Sequence, residues 1–211
     1  MSNLSVRIDK GEGVGLGRVI NFGVRGCLGR GDVVYFRSAL IVEKVRRIIM
    51  TERLDTTFDT EAGVFNFRVG GIIISGGKVL MVYNGKHKKD GEYYSVGGRC
   101  KMNEGTEHAV ERECFEETGV KFKAERLGFI HENFFIADGK KYHEISFYYY
   151  MKPLGGIENI GKNAVDLSVN ERLVWVDIDK IGELKNFYPD FFRTELLKDS
   201  REIGHFVTKE Y

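Results

Sequence analysis

The sequence predicts a mixed α/β domain built in layers, and three observations predict it. Short apolar runs rich in β-branched and aromatic residues recur from Val64 to Val176. One strongly marked helical pattern, Thr106–Thr118, falls between such runs, and further helical segments follow from Ile178. Strands therefore outnumber helices and the helices sit apart from one another, the pattern of helices layered on a sheet.

The elements follow in chain order. Residues 1–49 hold nine basic against four acidic residues, a net +5, while the remainder of the 211-residue chain carries −4. Eight glycines fall between Gly11 and Gly31, with little apolar periodicity before Val33. The run from Gly11 to Gly17 never satisfies G-x-G-x-x-G in register, and no strand is expected before it, so it does not read as a dinucleotide fingerprint. The expected division is a glycine-rich basic extension, 1–49, and a domain, 50–211. The extension is expected as a flexible leader, with a basic arm touching RNA as the alternative, or with Met50 as the biological start. The apolar run Ala39–Ile49 offers a helix that packs on the domain or on a second subunit, a homodimer contact.

Val64–Ile74 is expected as a strand with Phe65, Phe67 and Val69 on one face, and Lys78–Tyr83 as a second strand after the Ser75-Gly76-Gly77 turn. Glu92–Val96 follows a polar loop, Asn84–Gly91. The Thr106–Thr118 helix has Thr106 as its expected N-cap and Gly119 as its C-terminal glycine. Strands are then expected at Lys121–Arg126, Gly128–Ile136, His143–Met151 and Leu173–Val176, the middle two joined at Ala137-Asp138-Gly139. Helical segments over Ile178–Leu197 are interrupted at Pro189.

Composition excludes several classes. The overall charge of +1 implies no strong pull toward nucleic acid or a membrane surface. No apolar run approaches the ~18 residues of a membrane span, and Met1–Lys10 lacks the apolar stretch of a secretion signal. Cys27, Cys100 and Cys114 are odd in number and lack metal-ligand spacing, so free thiols in a reducing cytoplasm are expected.

The chemistry sits between Gly97 and Val120. Glu113, Glu116 and Glu117 are spaced i, i+3, i+4, which puts three carboxylates on one helical stripe. Like charges so crowded destabilise an isolated helix, and a hard divalent cation such as Mg²⁺ or Mn²⁺ would relieve them. Taken alone, such a stripe is more often a solvated acidic face. Arg112 and Glu104 form a nearby charge pair suited to hold the stripe. Ala109, Val110 and Cys114 form the opposite, sheet-facing side. Gly97 and Gly98 permit close backbone approach to an anion or metal.

Together these residues resemble the box of the Nudix hydrolase family, G-x5-E-x7-R-E-U-x-E-E-x-G-U, where U is bulky and apolar. Gly98, Glu104, Arg112, Glu113, Glu116, Glu117, Gly119 and Val120 fit with every spacing kept. Cys114 departs from the usual larger aliphatic, and Ser95-Val96 replaces a frequent Leu-Pro. Outside the box the likeness is one of strand pattern, from about Phe67 to Ile181. The resemblance implies an α/β/α sandwich with a mixed sheet and a loop–helix–loop motif. It implies metal-dependent hydrolysis of a nucleoside diphosphate linked to another moiety, a small-molecule nucleotide-type substrate. On that resemblance Glu116 and Glu117 are metal ligands with the Gly97 carbonyl as an additional one. Glu113 is either a ligand or the base that deprotonates water, and Arg112 and Glu104 orient the stripe. A base outside the box is sometimes an acid, for which Glu132 and Glu144 are the candidates. His131 and His143 are expected in packing or at the surface.

The substrate itself is not legible. No SQPWPFPxS stretch is present, no proline lies between Val120 and Tyr150 as an ADP-ribose signature would need, and the dinucleoside-polyphosphate tyrosine and coenzyme A pattern are missing. Lys86–Lys89, Arg99 and Lys101 would supply cations to phosphates, or are ordinary loop charge. Phe134, Phe135, Tyr93 and Tyr94 would stack on a base, although strand alternation accounts for them as core. A nucleotide-sensing module without catalysis and an RNA 5′-end pyrophosphohydrolase are the alternatives. The first typically loses box carboxylates, all of which are present here.

Overall fold

The computed structural model describes residues 54–85, 90–161 and 167–211, with the backbone of 5–7, 23–25 and 34–35. The chain divides into two compact units, Met1–Arg53 and Leu54–Tyr211. In the first, β1 (Ser5–Arg7), β2 (Gly23–Arg25) and β3 (Val34–Tyr35) pair antiparallel in the order β1-β2-β3. The glycine run Gly11–Gly17, Cys27, Ala39–Ile49 and Met50 lie outside the described residues, as does the lysine-rich loop 86–89.

The second unit holds the remaining elements. These are β4 (Thr57–Thr60), β5 (Gly63–Ile72), β6 (Ile74–Ser75), β7 (Lys78–Asn84), β8 (Glu92–Arg99), helix α1 (Thr106–Thr118), β9 (Phe122–Ala137) and β10 (Lys140–Pro153). There follow β11 (Glu171–Asp177), a 3₁₀ turn (Ile178–Glu183), β12 (Phe187–Tyr188), the short helix α2 (Phe192–Glu195) and β13 (Gly204–Lys209). The sheet runs β11-β7-β8-β5-β10-β9-β13, with β4, β6 and β12 attached beside it. It is mixed: β10 lies parallel to β5 and β13 to β9, while β7, β8 and β5 pair antiparallel.

Strand pleating sorts the core onto two faces. Ile73, Leu80 and Tyr149 belong to one cluster, with Ala109, Val110 and Cys114 of α1. Their sequence neighbours Ile72, Met81 and Tyr148 belong to the other, with Phe187 and Phe192 beyond Ile181. Helix and sheet layers are thus as expected, although the third layer is thin, a six-residue 3₁₀ turn and the four-residue α2.

Several expected boundaries are corrected. Gly128 does not separate two strands; β9 runs through it. A Cβ there would stand 2.6 Å from the Tyr150 ring, so the glycine makes room for a neighbour within the sheet. Asp138 and Gly139 both take positive φ, 49° and 75°, the two-residue hairpin turn that keeps β9 and β10 in register. The N-cap of α1 is Gly105, without a side-chain cap, and Thr106 is the first helical residue. Its hydroxyl is taken instead by Tyr149 Oη at 2.8 Å. On β5, Val64 and Asn66 are the buried positions near its start, while Phe65 and Phe67 are half-buried.

Candidate active site

β8 continues past Val96 through Gly97, Gly98 and Arg99, and the chain then turns into α1. Gly97 has φ 145°, and a Cβ on it would meet the Val69 carbonyl oxygen at 2.2 Å. A Cβ on Gly98 would meet Glu113 Oε2 at 2.3 Å. The first glycine therefore allows the strands to close, and the second leaves space for a carboxylate. Helix α1 seats tightly on the sheet because both contact residues are small: a Cβ on Gly71 would stand 2.5 Å from Cys114 Sγ. That contact accounts for cysteine where a larger aliphatic is common. The helix closes on Gly119, whose N–H bonds Phe115 O at 2.8 Å with φ 74°.

Arg112 organises the stripe. Its Nε and Nη2 donate to the two oxygens of Glu104 at 2.9 and 2.8 Å. Nη1 donates to Glu113 at 2.6 Å and to Glu116 at 3.0 Å, and Nη2 also reaches the Arg99 carbonyl at 3.1 Å. Glu104 also accepts from the Lys101 N–H at 3.0 Å. The guanidinium holds the Glu104 carboxyl below the usual carboxylate range, and hydrogen bonding to Glu104 in turn raises the proton affinity of Arg112. Glu117 lies apart from Arg112 and accepts the Gly97 N–H at 2.9 Å. Burial, then the charge of Glu113, pushes the Glu117 carboxyl up to about 8 against that hydrogen bond. Burial also raises Glu113, with Arg112 opposing.

Among the described residues no three His, Cys, Asp or Glu side chains stand together as a formed cation site. The carboxylates are shared out between Arg112 and the Gly97 amide. The donor set nonetheless fits a hard divalent ion: three carboxylates on one stripe, one of them, Glu117, half-buried and without an ion-pair partner among the described residues. A cation would relieve what burial and Glu113 impose on Glu117.

The remaining candidates scatter. Arg99 stands 3.7 Å from Asp55, and Lys101 bridges to Asp55 through its backbone. Glu132 pairs with His205 at 2.8 Å. Glu144 is buried among Asn66, Ser146 and Arg68. Neither Glu132 nor Glu144 is joined to the stripe by a hydrogen bond or ion pair among the described residues. His131 is buried on Thr208, and His143 stacks on Phe134 at 4.4 Å, both in packing roles. Tyr94 is not core: it is 36% exposed and stacks on Tyr188 at 5.6 Å. Cys100 and Cys114 are free and buried, and burial raises both thiols, Cys100 to about 12, so neither is a reactive nucleophile.

Sequence reasoning missed two features near the stripe. Glu171, at the start of β11, adds a negative field to Glu117. It also rims a cavity of about 470 Å³ walled by Leu80, Ile160, Leu167, Leu173 and Trp175. Arg68 on β5 is the second, and the charges of Glu117 and Glu113 act on it. Both lie far from the box in sequence, and only strand pairing brings them near.

Residues 65–194, more than half of the chain, match the family model described as NUDIX domain. No curated protein matches the chain. Among solved structures it is similar to a NUDIX hydrolase from Nitrosomonas europaea, at 20% identity over 63% of this chain and 86% of that one, TM-score 0.47. It is also similar to a MutT protein from Bacillus halodurans, at 20% identity over 69% and 91%, TM-score 0.49. An ADP-ribose pyrophosphatase from Streptococcus suis aligns at 16% identity over 66% and 98%, TM-score 0.46.

Proposed function

The chain belongs to the Nudix family, and from that premise we propose that it hydrolyses a phosphoanhydride bond in a nucleoside diphosphate linked to another moiety. The observation that carries this is the stripe on which Arg112 holds Glu113 and Glu116, the Gly97 N–H holds Glu117, and Gly98 leaves space for Glu113.

In this reading Glu116, Glu117 and the Gly97 carbonyl hold Mg²⁺ or Mn²⁺. When bound, the ion supplies charge neutralisation and Lewis acidity at the diphosphate. Glu113, whose proton affinity burial raises, takes the proton of the attacking water. Arg112 keeps Glu113 and Glu116 in one orientation, and Glu104 anchors Arg112 from behind. The cavity rimmed by Glu171, with apolar walls and the charged Glu158 and Arg172 on its lining, would lodge the non-phosphate part of the substrate. No helix among the described residues is long and apolar enough to cross a membrane.

The test is a screen of nucleotides and nucleotide sugars for phosphate or nucleoside monophosphate release with Mg²⁺ and with Mn²⁺. Turnover that Glu117→Gln abolishes, while the variant still melts cooperatively, supports the reading. Near-normal turnover in Glu117→Gln or Glu116→Gln at saturating metal would remove it. Tight nucleotide binding without turnover would instead make the chain a sensing module.

A further inference from the structure

The sheet face opposite α1 carries polar residues where a core face ordinarily takes apolar ones. Asn66, Arg68 and Gly70 of β5 share that face, since a Cβ on Gly70 would meet the Tyr148 ring at 2.5 Å. On β10, Glu144 stands opposite Asn66 and Ser146 opposite Arg68. Asn66 is 3% exposed, Glu144 9% and Ser146 2%. A carboxylate so buried is costly unless it is partnered.

Glu144 is partnered on both oxygens. Asn66 Nδ2 donates to Oε2 at 3.4 Å and Ser146 Oγ to Oε1 at 3.2 Å. Thr57 Oγ1 donates to Asn66 Oδ1 at 2.7 Å, which turns the amide so that its NH₂ faces Glu144. The acid is fixed, and its charge is directed at Arg68, whose Nε lies 4.0 Å away.

Arg68 is held differently from Arg112. All three guanidinium nitrogens of Arg112 donate hydrogen bonds. Arg68 donates none among the described residues; its only near contact is the 4.0 Å approach to Glu144, and its side chain is 39% exposed. Burial opposes its charge, and the groups that favour it are Glu144, then Tyr148, then Glu117 and Glu113 of the stripe. Arg68 stands opposite Arg99 and two residues along β5 from Gly70, which is opposite the Gly97 whose amide holds Glu117. A permanently charged fork with open donors thus sits beside a buried anchoring acid, on β5 next to the Gly70–Gly97 pair where Glu117 is held, and within the field of the stripe.

We propose that Arg68 binds an oxyanion of the substrate's diphosphate, and that Glu144 is a positioning residue that holds its guanidinium toward the stripe. Planar N–H pairs match phosphate oxygens two at a time, which a point charge does not. The inference deepens the hydrolase reading and rests on it. It also gives Glu144 work other than that of a base.

The experiment titrates α,β-methylene-ADP, whose diphosphate resists hydrolysis, into the full chain with Mg²⁺, alongside melting curves. Arg68→Gln should weaken binding roughly 10- to 100-fold, the usual worth of a hydrogen bond to a charged group. Arg68→Lys, which keeps charge but not the fork, should weaken it roughly 3- to 10-fold. Glu144→Gln should weaken binding several-fold in the native background, and less than about twofold when Arg68→Gln is already present. A purely structural Glu144 would lower melting in both backgrounds and show no such dependence. Binding within twofold of the native chain in a cooperatively melting Arg68→Gln overturns the proposal. If that variant does not fold, an unchanged affinity in Arg68→Lys overturns it. Failure of the native chain to bind the analogue overturns it as well. Binding by a native chain that hydrolyses nothing in the screen sinks the hydrolase reading alone, since the Arg68 comparison still decides this one.

Discussion

Replacing Arg112 with methionine should unfold the site before it disturbs anything else. Methionine keeps much of the stem's length and removes the five hydrogen bonds that the guanidinium makes. Glu104, whose side chain is 7% exposed, would keep, among the described residues, only the Lys101 N–H. Glu113, 10% exposed, would lose its 2.6 Å partner. Stripping one member from a buried ion pair costs about 3–5 kcal/mol. Arg112 is itself 21% exposed and Glu116 31%, so water recovers part of this, and about 2–4 kcal/mol is the expected loss. For a unit of this size that corresponds to roughly 4–16 °C in melting temperature. The assay is urea and thermal unfolding in EDTA, so that metal binding does not mask the change. Adding Glu104→Gln to Arg112→Met should recover about 1–2 kcal/mol, because the stranded charge is then gone. An Arg112→Met unfolding free energy within about 0.5 kcal/mol of the native chain, the usual scatter of surface changes, would refute the network's role.

Four further outcomes are expected. Glu113→Gln should lower the maximal rate by ~10² to 10⁴ with metal affinity little changed; if only metal affinity moved, Glu113 would be a ligand and the base would lie elsewhere. Cys114→Leu should destabilise by about 1–3 kcal/mol in denaturant unfolding, since Sγ already packs where a Cβ on Gly71 would stand at 2.5 Å, and an unchanged midpoint would show that the helix can retreat. Burial lowers His131 to about 4, so the unfolded chain takes up a proton first as pH falls; stability should be full above about 6.5 and decline toward 4, by at most about 3 kcal/mol, and His131→Gln should lose less over that range. A chain shortened to Met50–Tyr211 should melt cooperatively and keep its rate, and loss of either would show that residues 1–49 belong to the domain.

What was legible in the sequence follows from how local each signal is. The helix and its stripe are written in thirteen consecutive residues, so spacing alone places Glu113, Glu116 and Glu117 together; Ala109, Val110 and Cys114, expected on the opposite side, are instead buried beside Glu113, because positions three and four apart share a helix face. The Asp138-Gly139 turn is equally local. The cap of α1 was missed because Thr106 finds a partner, Tyr149, forty-three residues away. Gly128 read as a break because its reason for being glycine, the Tyr150 ring, belongs to the neighbouring strand. β13 escaped notice because its half-exposed alternation gains meaning only beside β9, where Gly204 meets Phe129. Arg68 and Asn66 are unremarkable in sequence, where Glu144 reads only as a candidate base, and only the parallel register of β5 with β10 sets the three in rows.

The same register explains why the box tolerates its departure at Cys114. Catalytic geometry here depends on how closely α1 approaches the sheet, because Glu113 and Glu117 reach β8 directly, at Gly98 and at the Gly97 amide. A larger residue at 114 would lift the helix from Gly71 and draw both carboxylates away from those glycines. Small residues at 71, 98 and 114 therefore act as one device: each removes a Cβ or a methyl that would hold helix and sheet apart, while Gly97 lets β8 close on β5. The close approach desolvates Glu117, which Gly97 only partly offsets. The tight packing of the helix and the raised proton affinity of Glu117 on its stripe thus have a common origin.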